Sequence, residues 1–139
     1  MAFFEWSADM EIDGGDIDRD HRQLIEYINR LHEYTLDGQG REIVGEVLEQ
    51  LLTYTEQHFE REERLMTSLG FPGVKEHHRK HQELSARMRE LSQLHQSGSL
   101  SVASLLSVSM RDWLSLHIRR TDQEIRQWIK TSRTSREAR

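Results

Sequence analysis

The sequence predicts an all-α fold, an up-down-up-down antiparallel four-helix bundle behind an irregular N-terminal arm. Apolar residues recur in steps of three and four along four long stretches, and only short breaks separate them. A single proline in 139 residues and no run of alternating β-branched residues argue against a sheet. One core fits this length, so residues 1–130 are expected to form one domain. Residues 131–139 read as a polar, basic, disordered tail.

The first helix is expected from about Asp18 to Leu36, with Asp16, Asp18 and Asp20 as capping and first-turn acids and His21, Leu24, Ile25, Ile28, Leu31 and His32 on its inner stripe. Asp37-Gly38-Gln39-Gly40 ends it. In the second helix Val44, Val47, Leu48, Leu51, Leu52, Thr55, His58, Phe59, Glu62, Leu65 and Met66 share a face as far as Ser68. Gly70-Phe71-Pro72-Gly73 is the next break. Val74, His77, His81, Leu84, Met88, Leu91 and His95 then mark the third helix, which stops at Ser97-Gly98. The fourth starts near Ser101 and carries Val102, Leu105, Leu106, Met110, Trp113, Leu114, His117, Ile118, Asp122, Ile125 and Ile129.

Composition narrows the chemistry. Without cysteine there can be no disulfide, thiolate zinc site or iron–sulfur cluster, so any metal must sit among histidines and carboxylates. Net charge is −5 and basic residues are interleaved with acidic ones outside Lys130–Arg139, which speaks against nucleic acid as a partner. The start, Met1 to Ser7, lacks the basic segment and long apolar run of a signal peptide, and no apolar run approaches membrane-spanning length. A cytoplasmic protein without a membrane partner is the expectation.

Histidines and acids interrupt the apolar stripes where burial is costly unless something satisfies them. His58 with Glu62, and His77 with His81, are spaced i, i+4, so each pair shares a helix face. A lone pair of this kind is more often structural than ligating; the combination is informative. In an antiparallel bundle His21, Glu62, His77 and Asp122 all fall within about 10 Å along the axis, with His58, His81 and His117 about a turn deeper. Seven polar side chains from four helices thus meet at one level, the pattern of a polynuclear metal site. His32 and His95 lie about 16 and 21 Å from the ligands of their own helices, and His78 points off the inner stripe, so these three are expected at the surface or the end of the core. His117 and Asp122 are five residues apart, about 140° on a regular helix, which predicts a π-type widening between them.

The set His21, His58 with Glu62, His77 with His81, and His117-Ile-Arg-Arg-Thr-Asp122 resembles the ligand pattern of hemerythrins and bacterial hemerythrin-like proteins. Trp6 and the Asp-rich arm, His58-Phe-Glu-Arg-Glu-Glu before Met66, Gly70-Phe-Pro and Trp113-Leu114 agree with it, and the likeness spans residues 6–129. Asp20, where Gln often precedes the first ligand, and Ile125, where an aromatic is frequent, depart from it. The resemblance implies two iron ions bridged by Glu62, Asp122 and a solvent oxo or hydroxo group. One iron would be held by His77, His81 and His117, and the other by His21 and His58, with an open position for molecular oxygen. It also implies an oxygen pocket of Leu24, Phe59, Trp113, Leu114 and Ile118, each of which could equally be plain core. Reversible oxygen binding without substrate turnover is the function expected, for storage, delivery or scavenging. An oxygen- or iron-sensing module acting through a protein partner is the alternative. A ferritin-like oxidase or peroxidase fits less well, since no Glu precedes a His by three, and seven ligands are too many for one tetrahedral zinc.

Overall fold

Two aspartates build the start of the first helix. Asp13 accepts hydrogen bonds from the backbone N–H groups of Gly15, Ile17 and Asp18 at 2.9–3.2 Å. Buried Asp18 reaches back to accept those of Ile12 and Gly14 at 2.8 Å each. These bonds satisfy donors that a helix start leaves orphaned and tie the arm to the helix. The helix, α1, spans Asp16–Leu36 and begins two residues before the expected start. The capping belongs to Asp13 and Asp18; Asp20 is turned inward to another use.

The computed structural model describes residues 3–37, 41–96 and 101–137, without the side chains of 41, 101–104, 120, 121 and 132–137. After α1 come α2 (Arg41–Ser68), α3 (Val74–Gln96) and α4 (Ser101–Leu116); a five-residue π turn, His117–Thr121, then leads into α5 (Gln123–Glu137). The last three pieces form the fourth rod, and α1 to α4 pack in a ring, each against its two neighbours. The all-α four-helix bundle is therefore as expected, with one 3-10 turn, Ala8–Met10, in the arm. The breaks at Gly38–Gly40 and Ser97–Gly98 lie outside the described residues, as does the Val102 side chain. Among the described residues no helix is long and apolar enough to cross a membrane.

Leu24, Ile28, Leu31, Leu48, Leu51, Met66, Met88, Leu106, Met110 and Leu114 are fully enclosed, as their helical phase requires. Leu105 is the exception: it is 57% exposed, because its neighbour Leu106 takes the inward position. The last helix continues to Glu137, past the boundary expected at residue 130, since neither Gly nor Pro interrupts it.

The connection after α2 is set by Gly70. Its φ of +66° lets Gly70 N–H bond to the carbonyl of Thr67 (3.1 Å) and Phe71 N–H to that of Met66 (2.9 Å). This paired closure, with Met66 and Phe71 both in the core, is a Schellman cap. It delivers Phe71 edge-on to His77 and Trp128, whose indole N–H reaches the Leu69 carbonyl at 2.8 Å. The arm is tied to the bundle along its length: Phe4 exchanges two 2.8 Å hydrogen bonds with Asn29, Met10 and Ile12 enter the core, and Arg119 of the π turn bonds Asp9 at 2.9 Å.

Candidate metal centre

Helical phase brings His21 of α1, His58 and Glu62 of α2, and His77 and His81 of α3 inward at one level of the bundle. The fourth rod needs the π turn to do the same. Asp122 N–H bonds to the carbonyl of His117 at 2.8 Å, five residues back, and this wider turn points both side chains at the same space. The irregularity read from the spacing is therefore present.

All seven side chains are buried, and Glu62, His21, His58 and Asp122 have no exposure at all. Glu62 is the hub. Its Oε1 faces His81 Nε2 and His117 Nε2 at 3.3 Å and His77 Nδ1 at 3.8 Å, while its Oε2 faces His58 Nε2 at 3.0 Å and His21 Nε2 at 3.7 Å. Asp122 Oδ2 spans the two groups, 3.0 Å from both His21 Nε2 and His117 Nε2. Ligating atoms within 4.8 Å of one another form two groups, His21–His58–Glu62–His117–Asp122 and Glu62–His77–His81, with Glu62 in both. His117 joins the first by its contact with Asp122, yet it shares Glu62 Oε1 with His77 and His81.

These close approaches lack hydrogen-bond alignment. Both oxygens of Glu62 and Asp122, both ring nitrogens of His21, His77 and His81, and the Nε2 atoms of His58 and His117 are buried without a hydrogen-bond partner. Native interiors seldom leave such atoms unsatisfied, each costing about 1–3 kcal/mol or more. So many aimed at one point fit a bound cation, and imidazole with carboxylate is a donor set suited to iron.

Electrostatics agree. Burial pushes the His58 imidazole down, but Glu62, Asp20 and Asp122 outweigh it and raise its pKa to about 9. His117 is likewise pushed down by burial and raised by Asp122 and Glu62, to about 10. Burial favours the neutral form of Glu62, yet His117 and His58 hold it well below the ordinary carboxylate range. Without a metal, protons on histidines neutralise the buried carboxylates; a cation would take over that task.

The residues expected to line an oxygen pocket are apolar and enclosed: Leu24, Leu114 and Ile118 have no exposure, Phe59 has 4%, and Trp113 is half-buried. Phe59 stacks on His81 (centroids 3.9 Å apart, planes 4° apart), Trp113 stacks on His117 at 4.6 Å, and the two aromatics meet edge to face. The histidines set apart by axial level, His32 and His95, or by phase, His78, stay out of the cluster. His32 stacks on Phe3, His78 lies at the surface beside Glu63, and His95 is buried beyond the cluster near Gly45.

Sequence reading missed the use made of Asp20. Its carboxylate is buried and accepts from His58 Nδ1 (3.0 Å), Tyr54 Oη (2.9 Å) and Arg61 Nε and Nη2 (2.8 and 2.9 Å). Although burial opposes it, these donors hold Asp20 far below the usual carboxylate range, and burial together with Asp20 raises the Tyr54 hydroxyl to about 12. The available signal was an acid beside a candidate ligand, with a tyrosine and an arginine on the facing helix.

Residues 15–129 match the family model described as the hemerythrin HHE cation binding domain. The chain is 35% identical to a bacteriohemerythrin of Stenotrophomonas maltophilia over 130 residues, covering 94% of this chain and 84% of that one. It is 26% identical to a myohemerythrin of Riftia pachyptila over 119 residues, covering 86% and 88%. Among solved structures, a wild-type hemerythrin superposes with a TM-score of 0.82 at 26% identity, covering 91% of this chain and 97% of that one. Sequence, fold and the convergence of buried histidines and acids together place this chain in the hemerythrin family.

Proposed function

We propose that the protein binds molecular oxygen reversibly at a non-haem di-iron centre held by His21, His58, Glu62, His77, His81, His117 and Asp122. The observation that carries this reading is the way the two oxygens of Glu62 divide five imidazoles into three and two. By that division His77, His81 and His117 would hold one iron and His21 and His58 the second, with Glu62 and Asp122 available to both. With two imidazoles, the second iron would have fewer side-chain ligands than the first. When bound, the iron pair supplies the reversible electron donation that holds oxygen.

The protein's share of the work is orientation and exclusion. Phe59 and Trp113 fix the planes of His81 and His117 by stacking. Leu24, Leu114 and Ile118, fully enclosed beside the ligand positions, would keep water and stray protons away from the bound gas. Glu62 and Asp122, with no exposure, keep their charges for cations rather than solvent. In this reading no substrate is turned over, no nucleic acid or membrane is a partner, and the protein acts in the cytoplasm; the absence of cysteine and the net charge of −5 support it.

The test is the visible spectrum of the reduced, iron-loaded protein under argon, then air, then argon, with iron counted on the same sample. A band that appears with air and disappears under argon, at two irons per chain, is expected. Irreversible oxidation would instead favour a redox enzyme.

A further inference from the structure

We propose that Asp20 is a positioning residue for the oxygen-binding iron: clamped by Arg61 and Tyr54, it fixes His58 with Nδ1 protonated and Nε2 turned to the metal, and strengthens that imidazole as a donor. The proposal rests on the di-iron reading above, in which His58 is one of two imidazoles on the second iron.

Geometry settles the direction of the hydrogen bond. Asp20 Oδ1 receives Tyr54 Oη and Arg61 Nη2, and Oδ2 receives Arg61 Nε and faces His58 Nδ1. Arginine has no acceptor atom, and two of its N–H groups grip the carboxylate in a fork, so Asp20 stays an ionised acceptor toward its remaining partner. When Nε2 binds the metal, the one proton left on His58 must therefore lie on Nδ1. Nε2 is then the ligating atom, and it stands 3.0 Å from Glu62 Oε2 without hydrogen-bond alignment. With a cation at Nε2 the Glu62 oxygen has its positive partner, whereas the opposite tautomer would point an N–H at the metal and leave the Nδ1 lone pair against Asp20 Oδ2.

Few of the other imidazoles are held in this way. Neither ring nitrogen of His21 or His77 has a hydrogen-bond partner; His77 Nε2 is 3.8 Å from Glu124 Oε2 and His81 Nδ1 is 3.5 Å from Glu63 Oε2, both without hydrogen-bond alignment. The aligned carboxylate hydrogen bond thus falls on a ligand of the iron assigned to oxygen. A carboxylate accepting the distal N–H shifts electron density toward Nε2, orients the ring and raises its basicity, more than a neutral amide such as Gln at this position could. A more basic ligand favours the oxidised metal. Arg61 moderates the effect by neutralising part of the Asp20 charge, and its 36% exposed side chain shields the pair from solvent.

Asp20→Asn removes the anionic acceptor, but it also leaves Arg61 unbalanced; the double variant Asp20→Asn/Arg61→Gln keeps net charge and isolates the hydrogen bond. The iron-loaded double variant is expected to show a midpoint potential at least 59 mV higher than the parent, a tenfold loss of preference for the oxidised state. Iron release to a chelator should be about 10- to 100-fold faster. Melting of the metal-free proteins separates the roles: an Asp20 that only supports the fold would lower that melting point and leave the potential unchanged. In the zinc-loaded parent, which needs no substitution, nitrogen-detected NMR should find an exchange-protected proton on His58 Nδ1. A variant that loads two irons with the parent's potential and release rate, or a His58 protonated at Nε2, overturns the proposal. A parent chain that holds no iron overturns the di-iron reading instead.

Discussion

Glu62→Gln is the most informative single change, because the carboxylate is the one group that reaches all five histidines and because the amide keeps its shape. Its oxygens lie 3.0–3.8 Å from five ring nitrogens. A cation held between nitrogen and oxygen stands closer than that separation, so 3.5 Å gives a lower bound on the lost attraction. At an effective dielectric of about 20, a unit charge pair at that distance is worth about 5 kcal/mol. The amide carbonyl returns part of this as a neutral ligand, leaving about 4 kcal/mol, or roughly a thousandfold in affinity. The metal-free variant, titrated anaerobically with ferrous ion against a chelator and counted for iron, should hold fewer than two irons per chain. Its far-UV spectrum should stay helical, since no hydrogen bond to Glu62 is lost. Two irons bound at the parent's affinity would refute the placement of Glu62 between the metals.

Other consequences follow from the same geometry. In the metal-free protein the raised pKa values of His58, about 9, and His117, about 10, stabilise the fold fully below about pH 6.5. That contribution, on the order of 3 kcal/mol for His58 alone, is lost as pH rises through 9 and 10, while lowered Glu62 contributes above about pH 4.5 and is lost on further acidification. Melting of the metal-free protein against pH should therefore fall off on both sides of pH 4.5–6.5, with the alkaline decline absent once iron is loaded; a flat profile from pH 6.5 to 10 would count against it. Asp18→Ala strands the buried Ile12 N–H and removes the bond to the part-buried Gly14 N–H, and should cost about 3 kcal/mol in denaturant unfolding. Phe59→Ala should cost about 3–5 kcal/mol and, by unstacking His81 and admitting water, speed the irreversible oxidation of the oxygenated protein followed by its visible band.

Much of this was legible in the sequence because helical periodicity reports which residues face inward, and rise per residue reports their level. Those two quantities were enough to bring His21, His58, Glu62, His77, His81, His117 and Asp122 together. The five-residue spacing of His117 and Asp122 even revealed the π turn, since a regular helix cannot point both inward. What periodicity cannot report is which inward acid serves which neighbour. Asp18, as expected, and Asp13, outside the expected set, hold the start of α1, because the arm folds back on itself. Asp20 lies 34 to 41 residues from Tyr54, His58 and Arg61, and nothing local specifies that they meet. Leu105 and Leu106 were both candidates for the inner stripe, and only packing decides between adjacent positions.

The central claim is that seven side chains from four helices hold two irons. Anomalous diffraction at the iron edge, from crystals of the iron-loaded protein, tests it most directly. Two peaks are expected beside Glu62, one among His77, His81 and His117 and the other beside His21 and His58, with Asp122 between them. A single peak, or iron bound away from Glu62, would contradict it.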